Sequence, residues 1–299
     1  MNNHHTSGVV HLADVTQRPG FFQVWEKQRH RGAHWFVECV AEFFGVFLYV
    51  YGGVGSTAAF VIGGLTSQPA VGSLLQVGIA YAMGIVLALV ICASTSGGHF
   101  NPCVTITLTI FRGFPIRKVP RYIISQIFGA YIACLLIYVQ YKGEIKALEE
   151  VLAAKGVLEA VNFTPQGLAG IFGLYAPTGA NLGYVFLNEF VSDFVLGMAI
   201  WSCLDPTNFF TPPAAVPFVI GFAYAVVIWG YAPVGLAANT ARDLGGRLMA
   251  LTIWGTKASG GTYAAIAALT NIPAMILAAT CYEFFFTDSS RGTHFSSST

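Results

Sequence analysis

The sequence predicts an all-α membrane protein, with six transmembrane helices and two re-entrant half-helices arranged as two inverted three-span repeats. Three observations predict it. Of 299 residues, 55% are hydrophobic and only 10% are charged, against about 25% charged in an average soluble domain. Six apolar segments are each long enough to cross about 30 Å of hydrocarbon as a helix. An intramembrane acid and an asparagine-led short helix each occur twice, once per half of the chain.

The six spans lie at about 35–60, 71–94, 120–141, 181–204, 214–232 and 262–286. They lack the strict alternation of a membrane β-barrel. Two shorter apolar stretches, 102–111 and 240–251, follow polar, Gly-rich turns. Ten residues rise only about 15 Å, half a bilayer. Such half-helices need protein or a water-filled cavity around their loops, because lipid satisfies no backbone polar group. The many glycines and phenylalanines, 33 and 24, suit closely packed helices in lipid.

Charge sets the expected orientation. Arg18, Lys27, Arg29 and Arg31 precede span 1, and Arg112, Arg117, Lys118 and Arg121 lie between spans 2 and 3. The segment 61–70 has no basic residue. By the positive-inside rule both termini are cytoplasmic. The expected organisation is a cytoplasmic N-terminal tail at 1–33, a channel domain at 34–286 and a cytoplasmic C-terminal tail at 287–299. Within the channel domain the first repeat is about 34–141, an outer loop is 142–180, and the second repeat is about 181–286. No apolar signal-peptide core precedes span 1, and the C-terminal tail is expected to be disordered. In the outer loop, IKALEEVLAAKGVLEA reads as a short amphipathic helix and GIFGLYAPTG as irregular backbone. Asn162-Phe163-Thr164 is a glycosylation sequon, disfavoured by the Pro165 that follows it.

The two halves carry matching markers. Glu42 in span 1 and Glu189 in span 4 are each followed by an apolar run. Asn101-Pro102-Cys103 and Asn239-Thr240-Ala241 open the short helices. Three spans per half invert the second repeat, so the half-helices enter from opposite faces and meet N-terminus to N-terminus at the midplane.

On these residues the chain resembles the major intrinsic proteins, the aquaporins and aquaglyceroporins. The stretch 96–105, SGGHFNPCVT, is similar to the first family loop, and 235–243, GLAANTARD, to the second. The long outer loop and Asp243 after Arg242 look most like the glycerol-conducting branch, and the tails look fungal. The resemblance implies an aquaporin-like fold, a homotetramer with one pore per subunit, and passive conduction of glycerol and water in a lipid bilayer, with the plasma membrane as the expected location. A water-selective channel and a closed-pore structural protein are the alternatives. Two departures stand in the signature motifs: Cys103 replaces alanine, and Thr240 replaces proline at a first helical position where proline pre-sets φ.

Asn101 and Asn239 are expected to cap the half-helices and turn amide donors to the pore centre, where opposed positive helix ends disfavour cations; plain N-caps are the alternative. The resemblance places Arg242 in the outer selectivity filter, against an alternative salt bridge with Asp243. It places Tyr81, Leu236 and either Val227 or Ile228 at the other filter positions. It gives Glu42 and Glu189 a loop-supporting role, although an intramembrane acid by itself suggests an ion path. His99 falls at the inner pore mouth, as pore lining or as loop support. Asp243 and Arg247, four apart on one helical face, read as structural.

Cys39, Cys92, Cys103, Cys134, Cys203 and Cys281 form no CxxC or Cys/His cluster, so no disulfide framework or metal site is expected. The sequence carries no nucleophile–base pair, HExxH or phosphate loop that would point to an enzyme or a cofactor. With 15 Lys+Arg against 14 Asp+Glu, nothing suggests nucleic acid.

Overall fold

Polar chain breakers decide where each apolar run becomes a helix and where it stops. The computed structural model describes residues 15–68 and 70–292. Helix α1, Gly20–Arg31, lies where a tail was expected. Helix α2, His34–Leu65, is span 1. Its 32 residues rise about 48 Å, so it extends beyond the hydrocarbon or tilts. Span 2 is α3, Leu74–Ser96, started by Ser73, whose side chain accepts from Gln76 N, and ended by Gly97 at φ 93. Half-helix α4 is Pro102–Phe111. A 3-10 turn at Ile116–Lys118 leads into α5, Val119–Gln140, span 3.

The long connection is more helical than expected. It holds α6, Lys142–Ala154, and α7, Leu158–Asn162, followed by a 3-10 turn at Ala169–Ile171. The single amphipathic helix read from the sequence is therefore two, divided at Gly156, where φ is 71. In the second half, α8 is Leu182–Leu204, α9 is Val216–Tyr231 and α10 is Thr240–Trp254. Span 6 is interrupted. It consists of α11, Gly261–Leu269, and α12, Asn271–Phe285. Pro273 has no N–H to give Leu269 O, which opens the ladder at that turn.

Among the described residues there is no strand, and six helical segments are long and apolar enough to span a membrane. Large apolar side chains, among them Phe44, Leu87, Val90, Ile91, Phe128, Val191 and Phe222, are exposed around the outside. A soluble protein does not leave a belt of that extent uncovered, whereas a bilayer covers it. The described part of the C-terminal stretch ends in a 3-10 turn, Ser289–Gly292. The expected disorder at 293–299, and the first 14 residues of the N-terminal tail, lie outside the described residues.

The repeats interlock through the half-helices. Helix α4, from the first half, packs against α12, and α10, from the second half, packs against α5. The crossings of α5 with α2 and with α10 rest on glycine. A Cβ at Gly129 would come 2.3 Å from Phe43 O, and one at Gly245 would come 2.6 Å from Ile127 O. At one end of the bundle, Glu38 accepts from Lys118 Nζ at 2.6 Å and from Arg121, while Arg112 pairs with Glu283 at 2.8 Å. The start of span 1, the end of span 6 and the basic loop after α4 therefore share one face.

Candidate functional site

The two half-helices meet at Asn101 and Asn239. Each asparagine is an N-cap. Asn101 Oδ1 accepts from Cys103 N at 3.1 Å, and Asn239 Oδ1 accepts from Ala241 N at 2.8 Å and Arg242 N at 3.1 Å. Each amide also reaches across the contact between halves. Asn101 Nδ2 donates to Ala238 O at 3.2 Å, and Asn239 Nδ2 donates to Phe100 O at 2.8 Å. The bridging residues are themselves matched: Phe100 and Ala238, each one residue before its asparagine, are both left-handed, at φ 50 and 58.

That backbone is costly for a residue with a Cβ, and the two acids hold it. Glu42 accepts from His99 N at 3.1 Å, Phe100 N at 2.8 Å, Ser96 Oγ at 2.6 Å and Gln126 Nε2 at 2.7 Å. Glu189 accepts from Ala237 N at 2.8 Å and Ala238 N at 2.7 Å. Both are fully buried. A buried carboxyl is tolerated because its lone pairs are taken up by these donors. Asn188 beside Glu189 adds a second tie, donating to Gly235 O at 2.8 Å and Tyr231 O at 3.2 Å.

Two cavities flank the asparagine contact. The outer one, about 330 Å³, is lined by Phe60, Val61, Leu74, Val77, Tyr81, Ile228, Leu236 and Arg242, among others. The inner one, about 50 Å³, is lined by Ile85, Leu89, His99, Val104, Ile200 and Ile220. Tyr49, Tyr224 and Asn239 line both. Of the alternatives at the span 5 position, Ile228 lines the outer cavity, whereas Val227 is 1% exposed and faces the helix packing.

Arg242 is held at three points. Its Nε donates to Tyr81 OH at 3.1 Å, Nη1 to Phe172 O at 2.6 Å and Nη2 to Ile171 O at 3.4 Å. The alternative salt bridge with Asp243 does not form, because Asp243 is engaged by Arg247, at 3.1 Å to Nε and 2.5 Å to Nη2. Arg247 also donates to Leu174 O at 2.9 Å and Ser259 O at 3.1 Å. The Asp243–Arg247 pair thus clamps the long loop over α10, which puts the Ile171 and Phe172 carbonyls beside Arg242. Tyr175 lies under the Arg247 guanidinium, 5.8 Å from ring centroid to Cζ, and donates to Ala258 O at 3.0 Å. Burial pushes its hydroxyl up to about 12. Asn162 is buried and its Oδ1 accepts from Ala169 N at 3.1 Å, a position that leaves no room for a glycan.

His99 lines the inner cavity, with Nδ1 3.1 Å from Thr105 Oγ1 and its ring against Phe114 and Tyr122. Its ring thus borders the inner cavity and also packs within the first loop. Among the described residues no His, Cys, Asp and Glu cluster has metal-binding geometry, and the six cysteines are free thiols. The sequence reading missed Tyr49, Tyr224, Asn188, Gln126 and the Ile171 and Phe172 carbonyls. The first four had a legible signal: each is a polar group inside an apolar span.

The comparisons agree with this geometry. The family model described as "Major intrinsic protein" matches residues 30–259. The chain is 56% identical over 285 residues to "Aquaporin-3" of Laccaria bicolor, covering 95% of this chain and 86% of that one. It is 33% identical over 228 residues to the "Glycerol uptake facilitator protein" of Pseudomonas aeruginosa, covering 76% and 78%. The X-ray structure of the aquaglyceroporin from Plasmodium falciparum superposes with a TM-score of 0.72 at 20% identity, covering 84% of this chain and 96% of that one, and shares its fold. With six apolar spans, two opposed half-helices and a matching family model over most of its length, the chain belongs to the major intrinsic protein family of passive membrane channels.

Proposed function

We propose that this channel conducts glycerol together with water. The observation that carries the reading is the chemistry of the outer cavity. The Arg242 guanidinium stands with Tyr81 in a cavity whose lining includes an apolar group, Ile228, Leu236, Val61, Val77 and Leu74, alongside polar side chains such as Thr57, Gln166 and Tyr175. A linear polyol can lay its carbons against the apolar side and give its hydroxyls to Arg242 and Tyr81. Water receives no hydrogen bond from the apolar side, so such a wall costs water relatively more. The two asparagine amides then take over the permeant oxygen at the centre. The half-helix N-termini, each equivalent to roughly half a positive charge, oppose cations there. The relative named a glycerol uptake facilitator supports the same solute.

The acids support the loops rather than carry ions, since Glu42 accepts from two loop N–H groups and two side chains and Glu189 from two loop N–H groups. The pore functions in a homotetramer in the plasma membrane, with one pore per subunit. Both termini and the basic face holding Lys118 and Arg121 are cytoplasmic. The small volume of the inner cavity, about 50 Å³, favours the alternative of a water channel with little glycerol flux. Stopped-flow shrinkage and re-swelling of proteoliposomes under sucrose and glycerol gradients separates the two. Fast water exit with equally evident glycerol entry supports the proposal. Water exit with glycerol entry no faster than bare lipid supports the alternative, and neither flux supports a closed structural protein.

A further inference from the structure

Helix α1 stands at the same end of the bundle as the basic loop after α4, because Glu38, one turn into span 1, binds Lys118 and Arg121. Only Gly32 and Ala33 separate α1 from span 1. Its 12 residues are too few and too polar to cross hydrocarbon. Yet Phe21, Val24 and Trp25 fall on one face of the helix, at i, i+3 and i+4, and all three are exposed, Phe21 at 76%. Phe22 beside them is also exposed, edge-on to Phe21 with ring centroids 5.6 Å apart. Trp35, Phe36 and Phe44 of span 1 are exposed in turn, so along the chain the apolar surface of α1 leads into the belt that the bilayer covers. The acids of this end are already engaged: Glu26 by Arg18 at 3.1 Å, Glu38 by Lys118 and Arg121, and Glu283 by Arg112 at 2.8 Å. Lys27, Arg29 and Arg117 have no acidic partner among the described residues. Arg29 Nη2 donates to the neutral Thr95 Oγ1 at 3.3 Å. Lys27, three after Val24, and Arg29, four after Trp25, flank the apolar stripe on either side. Arg117 follows Ile116, which is 74% exposed.

An apolar stripe flanked by uncompensated cations, beside the point where a span enters lipid, matches a surface that is apolar on one side and anionic on the other. Aromatic rings settle at the boundary of headgroups and acyl chains, and Lys and Arg meet the phosphates. Lipid without net charge would cover the rings but leave the three cations without a counter-charge. We propose that α1, together with Ile116 and Arg117, is a docking surface for the anionic phospholipids of the adjoining leaflet. Phe21, Val24 and Trp25 enter the boundary layer, and Lys27, Arg29 and Arg117 take the headgroup phosphates. A stripe of three side chains is too small for a stable interface with a second copy of the chain or another protein, whereas a lipid surface requires no such area. The Arg29 contact with Thr95 ties the docked helix to the end of span 2, one residue before Ser96 and the first loop. The proposal depends neither on the solute conducted nor on which face is cytoplasmic.

The test uses Trp25 as the reporter in the full-length protein, reconstituted in vesicles of phosphatidylcholine alone or mixed with phosphatidylglycerol, with brominated acyl chains as the quencher. The emission of Trp25 is the difference between the unmodified chain and Trp25→Phe. The expected result is stronger quenching of Trp25 in the mixed vesicles than in the neutral ones, with the excess reduced by added salt. Lys27→Gln combined with Arg117→Gln should lower the partition of α1 into the mixed vesicles by about ten- to thirtyfold, at roughly fivefold per base near an anionic surface. The same pair should leave quenching in neutral vesicles unchanged. Both side chains are exposed, so the variant should fold, and the comparison of the two lipids needs no charge variant. Quenching that is equal in the two lipids, or unaffected by the double substitution, would overturn the proposal. Absence of quenching in both lipids would overturn it as well and leave the stripe to a protein partner.

Discussion

The hydroxyl of Thr240 lies 2.8 Å from Asn271 Oδ1 and 2.8 Å from Ala268 O, at the interruption of span 6. A proline at the first position of α10 would pre-set φ and offer no such contact. The chain holds the start of its second half-helix by the one Thr240 hydroxyl proton, which has these two acceptors of a neighbouring span within reach. The opening made by Pro273 leaves carbonyls near Ala268 that need a donor, and Thr240 supplies one. Thr240→Val should therefore destabilise the folded protein by about 1–3 kcal/mol, since it leaves buried polar groups unpaired. Thr240→Pro should also lose stability. Thermal unfolding in detergent checks both, and a Thr240→Pro variant more stable than the unmodified chain would contradict this account of α10.

The two buried acids have unequal loads. Glu42 accepts two donors at each oxygen, Ser96 Oγ and His99 N at Oε1, and Phe100 N and Gln126 Nε2 at Oε2. A glutamine has one acceptor oxygen, so either orientation sets its NH2 against two donors. Glu189 serves two backbone groups, Ala238 N at Oε1 and Ala237 N at 3.1 Å from Oε1 and 2.8 Å from Oε2, so a glutamine with its oxygen at Oε1 keeps an acceptor for both and sets its NH2 against only one donor. Glu42→Gln should cost at least about 2 kcal/mol, and Glu189→Gln about 1 kcal/mol. Melting temperatures in the reverse order would refute this reading of the loop supports.

The span 5 position gives a sharper contrast. Ile228→His should lower glycerol flux more than water flux, because it puts bulk and a polar edge into the apolar wall. Val227→His buries an imidazole in helix packing, so its main effect should be on folding yield and stability. Solute flux and thermal stability measured on both variants would show the two effects on different residues. Equal effects on the glycerol-to-water ratio would mean that the pore-facing residue is wrongly identified.

Tyr81 is kept in place by what span 1 lacks. A Cβ at Gly53 would lie 2.2 Å from the Tyr81 ring. Gly53→Ala should push that ring into the outer cavity, weaken its contact with Arg242 Nε and lower glycerol flux, with a stability loss of about 1–3 kcal/mol. Combining Gly53→Ala with Tyr81→Leu should recover much of that stability, because the two sites share one contact. Additive losses in a double-mutant cycle would show that the clash is relieved elsewhere.

The sequence carries the spans, the half-helices and the paired acids and asparagines plainly, because each follows from local chemistry. Apolar length marks a span, and an asparagine after a Gly-rich turn marks a half-helix start. The bounds of α4 agree with the expected 102–111, whereas span 1 runs past 60 to Leu65 because nothing polar interrupts it before Thr66. Long-range geometry was less legible. The reach of Arg242 to Phe172 O depends on how a loop folds back over α10, and no pattern within either segment encodes it. The choice between Val227 and Ile228 turned on a one-residue difference in loop length, which only the rotation of α9 resolves.

The central claim is tested most directly by the initial rate of labelled glycerol entry into proteoliposomes, at equal osmolarity on both sides and with the membrane potential clamped at zero and at a set value. A passive glycerol channel should raise the rate well above that of protein-free vesicles of the same lipid, with no dependence on potential or on a proton gradient. Entry at the protein-free rate, in vesicles that pass water rapidly, would contradict it.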